Sequence, residues 1–204
     1  MKYKWLNKKN NSNLIVFFNG WGMDETVVSH LKFSSYDILM FYDYNDLNCD
    51  FDFISTDVYK EKYLVAWSMG VMCATLFADI NYNKKIAING TLKPIDDNFG
   101  IPKRIYDLTL RNFSPEGSKK FIKNMFEGDV YIPVINREFD NQKSELFALK
   151  EYESNESFSY DKIIISKNDK IIPSKNQSKF WGIEPNIDGG HAPFINFNSW
   201  DELL

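Results

Sequence analysis

One stretch of this 204-residue chain limits its possible folds more than any other: Ser68 stands between an apolar strand and an apolar helix. Residues 63–67 (YLVAW) predict a buried strand, and residues 71–78 (VMCATLFA) predict a buried helix. Small residues lie two positions before and two positions after the serine, in the pattern A-x-S-x-G. They permit a strained turn and a close approach of strand and helix, which would expose the serine hydroxyl at the edge of a sheet.

Apolar runs alternate with helical patterns along most of the chain. Strands are also predicted at residues 14–18, 36–42, 85–89, 162–166 and 183–188. Helices are predicted at residues 25–32 after an Asp24 N-cap, at 104–112, from Pro115 after a Ser114 N-cap to a Gly128 stop, and at 141–152. Near-continuous apolar strands separated by helices predict an α/β fold, with a mainly parallel sheet covered by helices on both faces.

Residues 100–160 break this alternation, because their pattern is helical and contains no convincing core strand. We predict a single domain over residues 1–204, in which residues 100–160 form a helical lid insertion between two strands.

Composition excludes several classes of protein. Apolar residues make up 44% of the chain, which excludes a disordered protein. Apolar runs reach only about eight residues, against roughly 20 for a membrane span. The N-terminus lacks the apolar stretch of a signal peptide, and two cysteines are too few for a disulfide framework. We therefore expect a cytoplasmic globular protein.

Charge is distributed unevenly along the chain. Residues 101–126 contain six basic and two acidic residues, whereas the whole chain has a net charge of −4. This basic segment predicts an anionic partner, although an ordinary solvated helix face explains it equally well. A nucleic acid is not indicated, because no recognised motif accompanies the basic segment. Residues 43–57 are acidic but lack the central glycine of a calcium loop, so we predict a solvated loop there.

A serine needs a base before it can act as a nucleophile at neutral pH. Of the two histidines, His191 lies on a glycine-rich loop after the last predicted strand and is the candidate base. His30 lies in a predicted helix and is assigned a structural or surface role. Asp169, after the strand at 162–166, is the candidate acid that would orient the base, with Asp188 as the alternative. The order serine, aspartate, histidine is that of the α/β-hydrolases.

Two backbone N–H groups must also stabilise the negative charge that develops on an ester oxygen. The candidate donors are Met69, directly after the serine, and Trp21, in the loop at residues 19–22 (NGWG). A purely packing role for Trp21 stays open.

Four motifs, FFNGWGMD, AWSMG, NGT at residues 89–91 and GHAPF, resemble those of the pimeloyl-acyl-carrier-protein methyl ester esterases of biotin synthesis. The BioG type, a relative of BioH, is the most similar branch. The resemblance extends from residue 16 to residue 197 and is weakest in the lid. It implies an α/β-hydrolase fold and a cytoplasmic serine carboxylesterase that needs no metal or cofactor. Such an enzyme removes the methyl ester from a pimeloyl chain on acyl carrier protein.

Transferred to this sequence, the resemblance assigns Ser68 as nucleophile, His191 as base and Asp169 as acid. It assigns the oxyanion hole to Trp21 and Met69. The candidate substrate-binding residues are Gly20, Phe121 and Met125, although packing explains Phe121 and Met125 equally well. The lid cations that would contact the acidic carrier protein are Arg104, Arg111, Lys119, Lys120 and Lys123.

Two alternatives remain open at this point. The same triad would serve a general short-chain carboxylesterase or a thioesterase, because pocket shape and not the triad decides the substrate. A non-catalytic module that binds acyl carrier protein would keep the fold without the chemistry, and the complete triad argues against it.

Overall fold

A computed structural model of the chain describes residues 1–127 and 132–204. Within these ranges the strands are β1 Lys2–Asn7, β2 Asn13–Phe18, β3 Tyr36–Tyr42, β4 Glu61–Trp67, β5 Lys84–Ile88 and β6 Lys162–Ile164. They form one sheet in the order β1-β3-β2-β4-β5-β6. β1 pairs antiparallel with β3, and all other neighbours are parallel, so the sheet is mainly parallel as predicted.

The α-helices are α1 Gly70–Cys73, α2 Lys103–Asn112, α3 Pro115–Met125, α4 Phe139–Leu149 and α5 Ser174–Trp181. α2, α3 and α4 lie between β5 and β6 in the chain, where the helical insertion is predicted. Ser114 caps α3 as predicted, since its hydroxyl accepts the Gly117 N–H at 3.0 Å. The helix ends at Met125, and the predicted Gly128 stop lies outside the described residues. None of the described helices is both long and apolar enough to cross a membrane.

Both faces of the sheet are buried. Successive residues of a strand point to opposite faces, so Val16 and Phe18 enter one apolar cluster while Ile15 and Phe17 enter another. The first cluster is completed by residues of α1, α2 and α4. The second is completed mainly by short 3₁₀ helices, Glu25–Val28, Pro193–Asn196 and Trp200–Leu203. Each fully buried large apolar side chain contributes roughly 1.5–3 kcal/mol.

The strand order places the turns after β2 and β4 side by side. β2 lies between β3 and β4, so the chain first moves to one side of β2 and then returns to the other. In an open parallel sheet, such a reversal leaves a crevice at the carboxyl ends of the strands. The loop at residues 19–22 and Ser68 both lie at this crevice, because each directly follows one of these two strands.

The predicted strand at residues 183–188 is wrong. This segment joins the sheet through a single bridge, from Ile187 to Ser166. It contains Pro185, which cannot donate to a strand ladder, and Ile183 is exposed. Similarly, the strand predicted at 162–166 ends at Ile164.

Two predicted helices are shorter than expected. The segment after Asp24 is a 3₁₀ helix that ends at Val28, because it contains three consecutive β-branched residues. Asp24 still caps it by accepting the Thr26 N–H at 2.9 Å. The helix after Ser68 is α-helical only to Cys73 and then 3₁₀, where the Thr75 hydroxyl donates to the Met72 carbonyl.

Asp43 does not belong to a solvated loop, although the acidic segment 43–57 was predicted to form one. Its side chain is buried and pairs with Lys2 at 2.8 Å and Arg137 at 3.4 Å. Burial opposes its ionisation, but Lys2, Asn45 and Arg137 outweigh burial and hold the pKa of the Asp43 carboxyl at about 2.

Candidate active site

Ser68 occupies a tight turn between β4 and α1. Its φ of 58° lies in the left-handed region, which is strained for a serine. A Cβ atom on Gly70 would lie 2.4 Å from the Phe18 carbonyl oxygen, and one on Gly90 would lie 2.5 Å from the Ser68 carbonyl oxygen. Glycine at these two positions therefore lets the neighbouring strands close around the turn.

Ser68, His191 and Asp169 form a continuous hydrogen-bonded series. His191 Nε2 lies 2.8 Å from Ser68 Oγ, and His191 Nδ1 lies 2.8 Å from Asp169 Oδ2. The His191 side chain is fully buried, and Asp169 is buried as well. With the ring proton on Nδ1, Nε2 is free to accept the serine proton, so the geometry suits nucleophilic chemistry at the serine oxygen.

Both oxygens of Asp169 are held by donors. Oδ1 accepts the N–H groups of Ile171 and Ile172 at 2.8 and 3.0 Å. Oδ2 accepts Gln177 Nε2 at 2.8 Å in addition to His191. These bonds fix the orientation of the carboxylate towards the histidine ring.

The backbone of His191 is fixed by two buried side chains. Trp67 Nε1 donates to the His191 carbonyl at 2.8 Å, and Asn89 Nδ2 donates to the same oxygen at 2.9 Å. Asn89 Oδ1 accepts the Ser166 N–H at 2.8 Å, so it also joins this loop to the end of β6. Sequence reasoning missed the roles of Asn89, Trp67 and Gln177, although Asn89 begins the NGT motif.

The two alternative residues lie elsewhere. Asp188 is exposed and pairs with Lys167 at 2.8 Å, so it does not contact the His191 ring. The sequence had predicted His30 within a helix. In the structure it lies beyond the short 3₁₀ helix, which ends at Val28. Its Nε2 atom is 2.9 Å from the Phe194 carbonyl, which agrees with a structural or surface role.

Trp21 and Met69 both line a cavity beside Ser68. In the described part of the chain, neither backbone N–H donates to a protein group. The Trp21 indole packs against Phe113 and Phe121, and its Nε1 donates to the Gln142 carbonyl at 2.8 Å. Trp21 therefore packs through its indole, while its backbone N–H has no partner among residues 1–127 and 132–204.

The cavity beside Ser68 has a volume of about 170 Å³. Gly20, Phe121 and Met125 all line it, as do Ile105, Tyr106, Leu146 and Lys170. A more open cleft of about 660 Å³ lies on another part of the molecule, beside Lys93 and Lys150, and is not lined by Ser68 or His191. The smaller cavity is therefore the one that a reactive serine would use.

The five predicted contact cations all lie on α2 and α3 and are exposed. None of them pairs with an acidic side chain within residues 1–127 and 132–204. The same ranges contain no cluster of three or more histidine, cysteine, aspartate or glutamate side chains arranged to hold a metal ion.

A mainly parallel sheet with covering helices defines the protein as an α/β-hydrolase in fold. A crystal structure of a putative aryl esterase from Burkholderia cenocepacia has a similar fold, with a TM-score of 0.66 at 12% identity over 95% of this chain and 88% of that one.

Within that class, the chain belongs to the family described as pimeloyl-ACP methyl esterase BioG, whose family model matches residues 1–203. The crystal structure of BioG from Haemophilus influenzae matches with a TM-score of 0.90 and 33% identity, over 100% of this chain and 99% of that chain. An uncharacterised protein from the same organism is 35% identical over 94% of both chains.

A relative from Bacteroides fragilis, named malonyl-[acyl-carrier protein] O-methyltransferase, is 39% identical over 178 residues. The match includes 82% of this chain but only 36% of that relative's length.

Proposed function

We propose that this protein is a carboxylesterase that hydrolyses the methyl ester of pimeloyl-acyl carrier protein in biotin synthesis. The observation that carries this proposal is the series Ser68–His191–Asp169, with both contacts at 2.8 Å, in a chain of the BioG family. The Bacteroides fragilis relative is named for a carrier-bound substrate, which supports an ester attached to a carrier here as well. We also propose that the protein is located in the cytoplasm, as the sequence predicts.

The proposed reaction has two acyl-transfer steps. Ser68 Oγ attacks the ester carbonyl while His191 Nε2 takes the hydroxyl proton, and Asp169 stabilises the resulting imidazolium. The N–H groups of Trp21 and Met69 bind the oxyanion. Collapse of the intermediate breaks the bond to the methoxy group, which leaves as methanol with the proton from His191. Water, deprotonated by His191, then attacks the acyl-enzyme and releases the free carboxylate and Ser68.

We propose that residues 100–160 form the lid of a single domain and bind the carrier protein. The exposed cations on α2 and α3 support this proposal, because a carrier protein with an acidic surface would be attracted to them. Gly20, Phe121 and Met125 would line the path of the acyl chain, since all three lie on the cavity wall beside Ser68.

Methanol release from pimeloyl-carrier-protein methyl ester tests this proposal directly. We expect turnover by the wild type and none by Ser68→Ala, with carrier-protein binding nearly unchanged. Ser12→Ala is the matched control, because Ser12 is exposed and its hydroxyl has no partner in the described part of the chain. A fluorophosphonate should label the wild type and Ser12→Ala but not Ser68→Ala.

Each other outcome has a distinct meaning. Substantial activity of Ser68→Ala would disprove the mechanism. Cleavage of p-nitrophenyl esters without cleavage of the carrier ester would keep the triad and indicate a general esterase. Absence of both activities in a folded, unlabelled protein would favour a binding module.

A further inference from the structure

Four consecutive residues after β2 are hydrogen-bonded to one short segment of the helical insertion. Trp21 Nε1 donates to the Gln142 carbonyl at 2.8 Å, and the Gly22 N–H donates to Glu145 Oε2 at 3.1 Å. The Met23 carbonyl accepts Arg137 Nη1 at 3.4 Å, and Asp24 Oδ2 accepts the Asn136 N–H at 2.6 Å. We call residues 19–24 the β2 loop. Its position therefore depends on residues 136–145.

Glu145 occupies the centre of this contact. It is fully buried, and its Oε1 accepts the Tyr44 N–H at 2.9 Å. Its Oε2 accepts both the Gly22 N–H and Arg137 Nη1, the latter at 2.9 Å. The Tyr44 hydroxyl in turn donates to the Asn19 carbonyl at 2.7 Å. Glu145 thus supports the β2 loop at Gly22 directly and at Asn19 through Tyr44.

A buried ion pair is a costly way to stabilise a fold. Desolvation of the two charges offsets most of their attraction, so apolar side chains of similar size often give equal or greater stability. Hydrogen bonds to fixed carboxylate oxygens, by contrast, specify the position of backbone groups closely. The pair Glu145–Arg137 is therefore better explained by the geometry that it imposes on the β2 loop than by stability alone.

We propose that Glu145, itself oriented by Arg137, is a positioning residue for the oxyanion hole: it holds the β2 loop so that the Trp21 N–H stays beside Ser68. This inference rests on the proposed function, which assigns that N–H to the oxyanion. Glu145 lies against the β2 loop and does not line the cavity, so it acts through the loop and not on the substrate. Donors that are fixed in advance stabilise the transition state more than the bound ester.

The test is Glu145→Gln, assayed at pH 8, where the Glu145 carboxyl is ionised, on p-nitrophenyl acetate and on the carrier-bound ester. The new amide must turn its NH₂ group towards either the Gly22 N–H or the Tyr44 N–H, so one donor faces another and the loop shifts. A lost oxyanion donor costs about 10²–10³-fold in kcat, and a displaced one should cost on the order of 10-fold or more. We expect this loss in kcat on both substrates, with KM changed by less than about 2-fold.

A trifluoromethyl ketone inhibitor separates positioning from general destabilisation. It adds to the serine as an oxyanion, so its affinity should fall by about the same factor as kcat. Asp57→Asn is the matched control, because it removes an ion pair with Lys62 at 2.8 Å that lies outside both the β2 loop and residues 100–160. The control should keep wild-type kcat, KM and inhibitor affinity.

Arg137→Lys provides a second variant if Glu145→Gln does not fold. It retains the positive charge beside Glu145 but loses the contact with the Met23 carbonyl, so a smaller fall in kcat is expected at unchanged KM. Unchanged kcat in a folded Glu145→Gln, or an equal loss in Asp57→Asn, would overturn the inference. Wild-type activity on p-nitrophenyl acetate alone would reject the proposed substrate but leave this test intact, since any ester uses the same oxyanion hole.

Discussion

At the scale of single residues, Asp169 gives the most selective test of the proposed chemistry. Asp169→Asn keeps the shape of the side chain, but its amide can face the His191 ring with an NH₂ group, which favours the wrong tautomer. We expect kcat for p-nitrophenyl acetate to fall by about 10⁴-fold, as for other triads that lose this carboxylate. Asp188→Asn is the control and should keep wild-type activity, because Asp188 is exposed and bonded to Lys167.

The reverse result, a large loss in Asp188→Asn and none in Asp169→Asn, would contradict the assignment of the acid. The two variants also test an ambiguity that the sequence left open, since both aspartates precede His191 in the chain. The hydrogen-bonding pattern distinguishes them: one contacts the ring at 2.8 Å, and the other contacts a lysine.

Some residues of the site follow from the sequence and others do not. The sequence predicts that Ser68 and Asp169 lie close together, because each follows a strand and parallel strands end at the same edge of a sheet. Glu145 could not be predicted, because a glutamate within a helical pattern usually faces solvent. Its burial depends on which helix covers the β2 loop, and no local pattern encodes that contact. Gln177 was missed because it lies on α5, a helix that was not predicted from the sequence.

At the scale of elements, α2 and α3 supply the proposed contact with the carrier protein. We expect the triple reversal Lys119→Glu, Lys120→Glu and Lys123→Glu to raise KM for the carrier-bound ester several-fold. The KM for p-nitrophenyl acetate should stay unchanged, because a small ester has no carrier protein that must bind to α2 and α3. The salt dependence of KM for the carrier ester should also become flatter, since fewer charges attract the carrier.

The matched control reverses three exposed lysines elsewhere, Lys9, Lys60 and Lys175, with the same change in net charge. If both triple variants raise KM equally, overall charge and not a local surface attracts the carrier. Loss of activity on both substrates in the α3 variant would instead indicate a damaged insertion.

The elements that the sequence predicted well are those with a strong local signal. β3 was predicted with its observed bounds, because residues 38–42 form a continuous apolar run within it. β1 and α5 were missed, although each has a signal. β1 alternates lysine and aromatic residues as an edge strand does. α5 begins directly after Pro173 and ends at Trp181, before Gly182 with its φ of 71°. The strand predicted at 183–188 did not form, because this segment makes only one bridge to its neighbour and contains Pro185.

At the scale of the whole molecule, the buried carboxyl of Glu145 should make folding stability depend on pH. Burial raises its pKa from the ordinary 4.5 to about 7, although Arg137 opposes the shift. The folded state then binds more protons than the unfolded state between these values. The free energy of unfolding contributed by Glu145 should therefore fall as pH rises from 4.5 to 7, and stay constant above that range.

The difference in unfolding free energy between wild type and Glu145→Gln isolates this effect, because the other titrating groups are shared. Urea titrations at pH 4.5 and pH 8 should show the wild type losing about 3 kcal/mol relative to the variant. A difference that does not change with pH would mean that Glu145 keeps one protonation state across the range.

One backbone contact joins the helical insertion to the loop that carries His191. The Ala192 N–H donates to the Met125 carbonyl at 2.9 Å, and a Cβ atom on Gly190 would lie 2.7 Å from that same oxygen. The two segments are more than sixty positions apart in sequence, yet they are in direct backbone contact where α3 ends. In recombination between relatives, the end of α3 and the loop that carries His191 therefore have to remain compatible with each other. A chimera that exchanges the insertion must therefore place a carbonyl oxygen where that of Met125 lies and keep glycine at position 190.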